Sequence, residues 1–130
     1  MTNGHSQYES IALDLADMIG QGRLQEGARF SCRKLAERYQ VSAETVRRAA
    51  GLLAEEGIVQ LEAGSGVLVT SRPLASAYRR RADAQEAMQR IQSELFLLMD
   101  QRQHLDQAIA RAIRRLLEEV GRLDQSTASD

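Results

Sequence analysis

Apolar side chains recur at helical spacing near the start of the chain, at Tyr8, Ile11, Leu15, Met18 and Ile19. Residues three, four and seven positions apart lie on one face of a helix, so this spacing predicts a helix with one buried face over residues 8–20. Gly20 and Gly22 follow at its expected end.

Two serines predict the starts of two further helices. Ser31 is a candidate N-cap for a short helix over residues 32–39, and Ser42 is one for a helix that runs to about Glu56, with Gly57 as its C-cap residue. Their inward-facing residues are expected to be Leu35, Ala36 and Tyr39 in the first and Val46, Ala49, Ala50, Leu53 and Ala54 in the second. The short turn between them is typical of a helix-turn-helix unit.

Two runs rich in β-branched residues follow, over residues 58–61 and 67–70, with a glycine-containing loop between them. This pattern predicts a β-hairpin. Gly64 and Gly66 fit ordinary hairpin chemistry.

A long heptad pattern occupies the rest of the chain. Pro73 suits a first helical turn, and no other glycine or proline occurs before Gly121. Spacings of three and four alternate along one face, as in coiled coils, through Leu74, Ala77, Arg81, Ala84, Met88, Ile91, Leu95, Leu98, Arg102, Leu105, Ile109, Ala112 and Leu116.

The heptad pattern leaves two geometries for this arm. The polar run over residues 100–104 places Arg102 in the seam and favours a bend that would fold the arm into a helical hairpin. The unbroken heptad phase and the lack of a breaker favour one continuous helix, which we expect. Arg81 and Arg102 in the seam either set the register, mark a point where helices splay, or show that the phase is locally different.

Composition excludes several classes of protein. The 130 residues carry a net charge of −1, with one cysteine and two histidines, so neither an internal disulfide nor a four-ligand zinc site can form. No apolar run approaches the roughly 18 residues that span a bilayer, and the start of the chain has no secretory core, so we expect a soluble, cytoplasmic protein. We find no carboxylate pair, nucleophile with a base, phosphate loop or metal cluster, and predict neither enzyme activity nor a cofactor.

Positive charge is nevertheless concentrated on the predicted helix-turn-helix. Residues 29–48 contain six basic side chains (Arg29, Arg33, Lys34, Arg38, Arg47 and Arg48) against two acidic ones (Glu37 and Glu44). A focused basic surface of this kind suits phosphate, and arginine can also read guanine in the major groove. A solvated basic face without a ligand is the simpler alternative.

These segments resemble the DNA-binding domain of the GntR family of bacterial transcription regulators. The resemblance covers about residues 8–70 and rests on residues 30–36, 41–49, 53–59 and 64–66 in that order. It implies phosphate or base contacts from Arg33, Thr45 and Arg47 and a wing-tip contact from Gly66. The candidate DNA-binding set is Arg33, Ser42, Glu44, Thr45, Arg47, Arg48, Ser65 and Gly66.

The family pattern is not followed throughout. Ala43 stands where many members carry a basic or polar recognition residue, and Phe30 and Ser31 replace a common Pro-Ser. The arm resembles that of short YtrA-type members, in which a small helical segment dimerises. The DNA-binding part is also similar to osmolyte-transport repressors that continue into a cyclic-di-AMP-sensing TrkA-C domain, which we do not find here. Either a natural short relative or a truncated chain fits.

Three other features of the sequence allow a functional or an ordinary reading: Cys32, His104 and the basic run over residues 79–81. Cys32, beside two basic residues at a helix start, could be a reactive thiol of lowered pKa or an inert surface position. His104 could bind a metal or be a solvated outer residue, and we expect the latter. The basic run over residues 79–81 could be a solvated face or lie near phosphate.

The predicted fold is mainly α, with a winged helix-turn-helix over residues 1–72, a helical or coiled-coil dimerisation arm over 73–124 and a frayed tail over 125–130. The dimerisation residues are expected to be Met88, Ile91, Leu95, Leu98, Leu105, Ile109 and Leu116. We predict a dimeric regulator, a repressor, that binds a pseudo-palindromic operator on double-stranded DNA. The alternative is a helical scaffold whose winged helix binds protein. The sequence identifies no effector.

Overall fold

A computed structural model describes the backbone of residues 6–128 and the side chains through residue 125. In chain order the elements are α1 (Gln7–Gly20), β1 (Arg29–Ser31), α2 (Cys32–Tyr39), α3 (Ala43–Glu55), β2 (Val59–Leu61), β3 (Gly66–Val69) and α4 (Arg72–Ala128). The predicted helices and hairpin are confirmed, with ends within two residues of the predicted ones except in α4.

Serine caps begin the first three helices. Ser6 and Glu9 form a capping box at α1, Ser31 accepts a hydrogen bond from the backbone N–H of Lys34, and Ser42 accepts one from Thr45. Each cap satisfies a backbone donor that has no partner inside its helix. The two caps predicted from sequence, Ser31 and Ser42, are therefore confirmed.

The small sheet has one strand that the sequence did not predict. β1 pairs with β3, and β3 pairs with β2, both antiparallel, so β3 is central. Ser31 lies opposite Gly66, and Val59 lies opposite Val69. β1 is three residues long and becomes a strand through this pairing.

The core lies between the three short helices and the inner side of the sheet. Its fully buried large side chains are Leu15, Ile19, Cys32, Val46, Leu53, Ile58, Val67 and Val69. Most of the predicted inward face of α3 is buried, while Leu35 and Tyr39 of α2 are half-buried at its edge. The Tyr39 hydroxyl donates to the Asp14 carboxylate, which ties α2 to α1.

α4 is one unbroken helix from Arg72 to Ala128, which confirms continuity and excludes the bend near residues 100–104. It also continues past the predicted end at residue 124. The first compact unit of the chain extends to Ala87, and a second begins at Met88. The first unit passes the predicted boundary at residue 72 because the start of α4 packs into its core, where Ala75 is fully buried.

Arg81 belongs to this packed start of α4. Its guanidinium forms an ion pair with Glu56 at 2.9 Å and lies 5.9 Å from the centre of the Tyr78 ring. Arg81 therefore contacts the end of α3, which favours the reading that the heptad phase is locally different at this residue. The heptad face begins at Met88.

Candidate DNA-binding surface

The turn between α2 and α3 fixes the position of α3. Gln40 adopts a left-handed conformation with φ of 57°, and the N–H of Val41 donates to the carbonyl of Ala36 at 3.0 Å. The chain then reverses within three residues and Ser42 starts α3. This geometry braces α3 against α2, as a helix-turn-helix requires.

The N-terminus of α3 presents three of the predicted site residues. The Ser42 hydroxyl lies 2.8 Å from that of Thr45 and accepts the Thr45 N–H at 3.1 Å. Glu44 is exposed beside them and lies 3.9 Å from Arg47. The two hydroxyls are held together at the positive end of a helix dipole, where an anion is stabilised.

Arg47 connects α3 to the β2–β3 hairpin. We call this hairpin the wing (residues 59–69) and the segment between its two strands the wing loop. Its Nη2 donates to the carbonyl oxygen of Gly64 at 3.4 Å, while about half of its side chain remains exposed. α3 and the wing loop therefore meet on one surface.

The wing loop also rests on the start of α2. The N–H of Cys32 donates to the carbonyl of Ser65 at 2.8 Å, and the hydroxyls of Ser31 and Ser65 lie 3.3 Å apart. Arg33 and Lys34 follow directly, and both are exposed. The structure thus brings together Arg33, Arg47 and Ser65 from three separate elements.

Arg33 and Lys34 lie at an electrostatically unfavourable place. The first turn of α2 contains no acidic residue, so these two cations face the positive end of the helix dipole. Within the described residues no ion pair with Arg33 or Lys34 is found. A phosphate bound there would relieve the repulsion and would also accept hydrogen bonds.

Two of the predicted DNA-contact residues have partners within the chain. Gly66 is the first residue of β3, where its carbonyl accepts the N–H of Glu62 at 2.9 Å, so the tip of the wing lies at residues 63–65 instead. Arg48 lies over the ring of Tyr8, 4.2 Å from its centre, because α1 packs against that side of α3. A helical wheel of α3 alone carries no sign of this neighbour.

The basic charge of the surface is smaller than the sequence count. Arg29 pairs with Glu62 of the wing at 3.0 Å, which adds an acidic residue to the two that were counted. Glu62 is far from Arg29 in sequence and was outside the counted segment. Two of the basic residues, Arg33 and Lys34, lie together at the start of α2.

Cys32 is buried, and neither reading from sequence is correct. Only 2% of the residue is exposed, since it packs into the core beneath the sheet. Burial raises the pKa of the Cys32 thiol, and this outweighs the lowering effect of the Arg47 charge. The thiol is a core group and is poorly placed to react.

His104 is solvent-exposed and contacts its own helix, as expected. Its Nδ1 lies 2.8 Å from the carbonyl oxygen of Asp100. Among the residues that the structure describes, no cluster of three or more metal-ligating side chains occurs. Over that same stretch, no helix combines the length and apolarity needed to cross a membrane.

The second unit exposes a broad apolar face. The seven predicted dimerisation residues are between 49% and 64% exposed. The sequence analysis did not single out the other large apolar side chains exposed on this helix, which are Phe96, Leu97, Met99, Ile113, Leu117, Val120 and Leu123. Such a face is unusual on an isolated soluble helix.

Comparison with known proteins points to one family. Residues 7–69 match the family described as bacterial regulatory proteins, gntR family. The chain is 38% identical over 74 residues to an uncharacterized HTH-type transcriptional regulator, BphR, of Paraburkholderia xenovorans (strain LB400). That alignment covers 57% of this chain and 30% of BphR, so the chain spans less than a third of that relative.

Two solved structures are similar to the fold. BusR of S. agalactiae, in complex with its busAB-promoter DNA, matches with a TM-score of 0.56 and 28% identity, covering 74% of this chain and 54% of BusR. A GntR family transcriptional regulator from Listeria monocytogenes matches with a TM-score of 0.56 and 23% identity, covering 75% of this chain and 87% of that one. The second likeness concerns the fold alone.

Proposed function

Because residues 7–69 are a GntR-family helix-turn-helix domain, we propose that this protein binds promoter DNA and regulates transcription. The observation that carries the proposal is the joining of α3 to the wing loop through Arg47 and Gly64, beside the exposed cations at the start of α2. In this proposal α3 enters the major groove with Thr45 and Arg47, while Arg33 and the wing loop contact the phosphate backbone.

The relatives support this function and not an enzymatic one. The matched family consists of regulatory proteins, in agreement with the prediction that the chain is not an enzyme. BusR, which shares the fold at 28% identity, was captured on promoter DNA. We propose repression, in which the bound protein occupies promoter DNA in the bacterial cytoplasm.

We further propose that the protein acts as a dimer through the second unit. Except at Arg102, the exposed seam from Met88 to Leu116 presents apolar residues every three or four positions, and a second copy offers the same seam. A two-fold dimer would then bind an inverted repeat, with one winged helix on each half-site.

A titration against DNA tests the function. A labelled fragment from upstream of the protein's own gene, containing any inverted repeat, is titrated at several salt concentrations beside a scrambled fragment of equal length. We expect tighter binding to the upstream fragment and a steep loss of affinity with salt, because phosphate contacts release counterions. Equal, weak binding to both fragments would favour the protein-binding scaffold instead.

A further inference from the structure

The heptad face of the second unit carries charged residues at three informative places. Arg102 lies within the seam itself, between Leu98 and Leu105. Glu94 and Arg115 flank the seam on one side, each immediately before a seam residue. Flanking positions of this kind select partner orientation in coiled coils, because their charges meet across the interface.

A parallel, in-register pair fits these charges badly. Equivalent seam residues would face each other, so both Arg102 side chains would occupy one layer, where their like charges repel and no apolar side chain fills the layer. In the same arrangement Glu94 would lie beside Met99 of the second copy and Arg115 beside Val120. No ion pair would form across the interface.

An antiparallel pair fits them well. We place the two-fold axis of the pair between residues 103 and 104. Arg102 then lies opposite Leu105 of the second copy, so the two arginines are separated. The other seam layers pair Leu98 with Ile109, Leu95 with Ala112 and Ile91 with Leu116, and all of these are apolar. The overlap over residues 91–116 is about 38 Å long at 1.5 Å per residue.

The charges match in this same register. Glu94 of each copy comes beside Arg115 of the other, so the dimer gains two identical ion pairs related by its two-fold axis. A shift of one heptad toward the C-terminus would bring two Asp106 carboxylates together and place Leu95 opposite Glu119. The charges therefore favour one register.

Arg102 itself can be accommodated in the antiparallel pair. Its guanidinium lies 4.0 Å from the Asp106 carboxylate one turn further along the same helix, and its side chain is 83% exposed. The charged group can remain at the flank beside Asp106 while the methylene stem covers Leu105 of the second copy.

From these positions we infer that the arm pairs with a second copy of this chain in antiparallel orientation, held in register by Glu94 and Arg115. The inference rests on the proposed dimer and adds its orientation. Its occupant is a second copy because the seam and its flanking charges are complementary to themselves.

Cysteine cross-linking of the full chain distinguishes the orientations. In a Cys32→Ala background, Leu98→Cys alone places the two thiols about 16 Å apart along an antiparallel pair, too far for a disulfide, but face to face in a parallel one. Leu98→Cys with Ile109→Cys brings unlike positions together in the antiparallel pair. We expect linked dimers from the double variant and none from the single variant.

A charge exchange in the chain with native Cys32 provides a second test. Glu94→Arg should raise the dimer dissociation constant roughly tenfold, since two attractive pairs become repulsive, and adding Arg115→Glu should restore it. Sedimentation over a dilution series measures this. In a parallel pair neither change would bring charges together, so an unaltered constant would overturn the inference.

The possible failures are distinguishable. A linked dimer from Leu98→Cys alone, or a dimeric double variant that does not link, overturns the orientation or register and leaves DNA binding in place. A chain that stays monomeric at tens of micromolar overturns this inference together with the proposed dimer. Neither result bears on the DNA titration.

Discussion

Arg47 of the recognition helix donates to the backbone carbonyl of Gly64 in the wing loop across 3.4 Å. This long hydrogen bond joins two elements that are 17 residues apart. Because roughly half of the Arg47 side chain is exposed, the guanidinium can exchange the carbonyl for a base or phosphate without unfolding the loop.

We expect Arg47→Ala and Arg33→Ala each to weaken operator binding while the fold is retained. A lost base contact costs about 1–3 kcal/mol at one sequence position, whereas a lost phosphate contact weakens all sequences and lowers the salt dependence. Fluorescence anisotropy at fixed salt measures the affinities. Arg90→Ala, an equal loss of charge on the arm, is the matched control, and the assignment fails if all three variants bind alike.

Arg48 is expected to contribute mainly to stability. Its guanidinium lies over Tyr8, a contact worth about 0.5–1 kcal/mol at exposed sites, so Arg48→Ala should lower the free energy of unfolding by that amount. A double-mutant cycle with Tyr8→Leu in urea isolates the contact. A variant of unchanged stability that loses DNA affinity as strongly as Arg47→Ala would return Arg48 to the DNA surface.

Gly51 and Gly57 should respond oppositely to alanine. Gly51 lies inside α3 with open space where a Cβ would go, so Gly51→Ala should stabilise the fold by about 0.5–1 kcal/mol through helix propensity. Gly57 has φ of +76°, and a Cβ there would lie 3.3 Å from Leu74, so Gly57→Ala should destabilise it. Thermal unfolding of both variants checks the pair, and a shift of the same sign in both would contradict the backbone argument.

Cys32 should make stability depend on pH above neutrality. Burial raises the pKa of the thiol in the folded state, so the unfolded chain loses its proton first as pH rises above about 8.5, and folding stability falls. The stabilising effect is complete below that pH. Urea unfolding between pH 7 and 9.5 should show a steeper decline for the parent than for Cys32→Ala, and equal slopes would contradict burial as the cause.

The dimer seam can be tested by charge. Leu95→Asp with Leu98→Asp should dissociate the protein, because two carboxylates would have to be buried in each copy of the interface. Light scattering at micromolar concentration gives the mass. Gln89→Asp with Gln103→Asp, on the outer face of the same helix, should leave the dimer intact.

Local signals were enough to predict most elements of the fold. Ser31 and Ser42 mark helix starts through their own hydroxyls, and the heptad pattern of α4 has no competing breaker. β1 was missed because it has one large apolar residue, Phe30. Its strand conformation depends on pairing with β3, in which Phe30 lies opposite Val67, 37 residues later in the chain.

Three residues have neighbours that the sequence did not indicate. Arg48, Arg81 and Cys32 were each assigned from their own element, but their positions depend on a neighbour that packing brings close. The periodicity of a single helix gives the direction of a side chain, and it does not give what lies there. The surroundings of a residue at a helix start are easier to predict from sequence, because they are mostly local. This applies to Arg33, Ser42 and Thr45.

Ser31 meets three demands at once: it ends β1, caps α2 and lies against Ser65 of the wing loop. Few amino acids satisfy all three. Threonine keeps the hydroxyl and favours extended backbone, and alanine keeps the backbone and loses the cap. Aspartate caps but adds negative charge beside the surface that we propose contacts phosphate. Selection for operator binding from a fully randomised codon 31 should therefore return serine and threonine almost alone, a narrow tolerance at a position that is itself only half-buried.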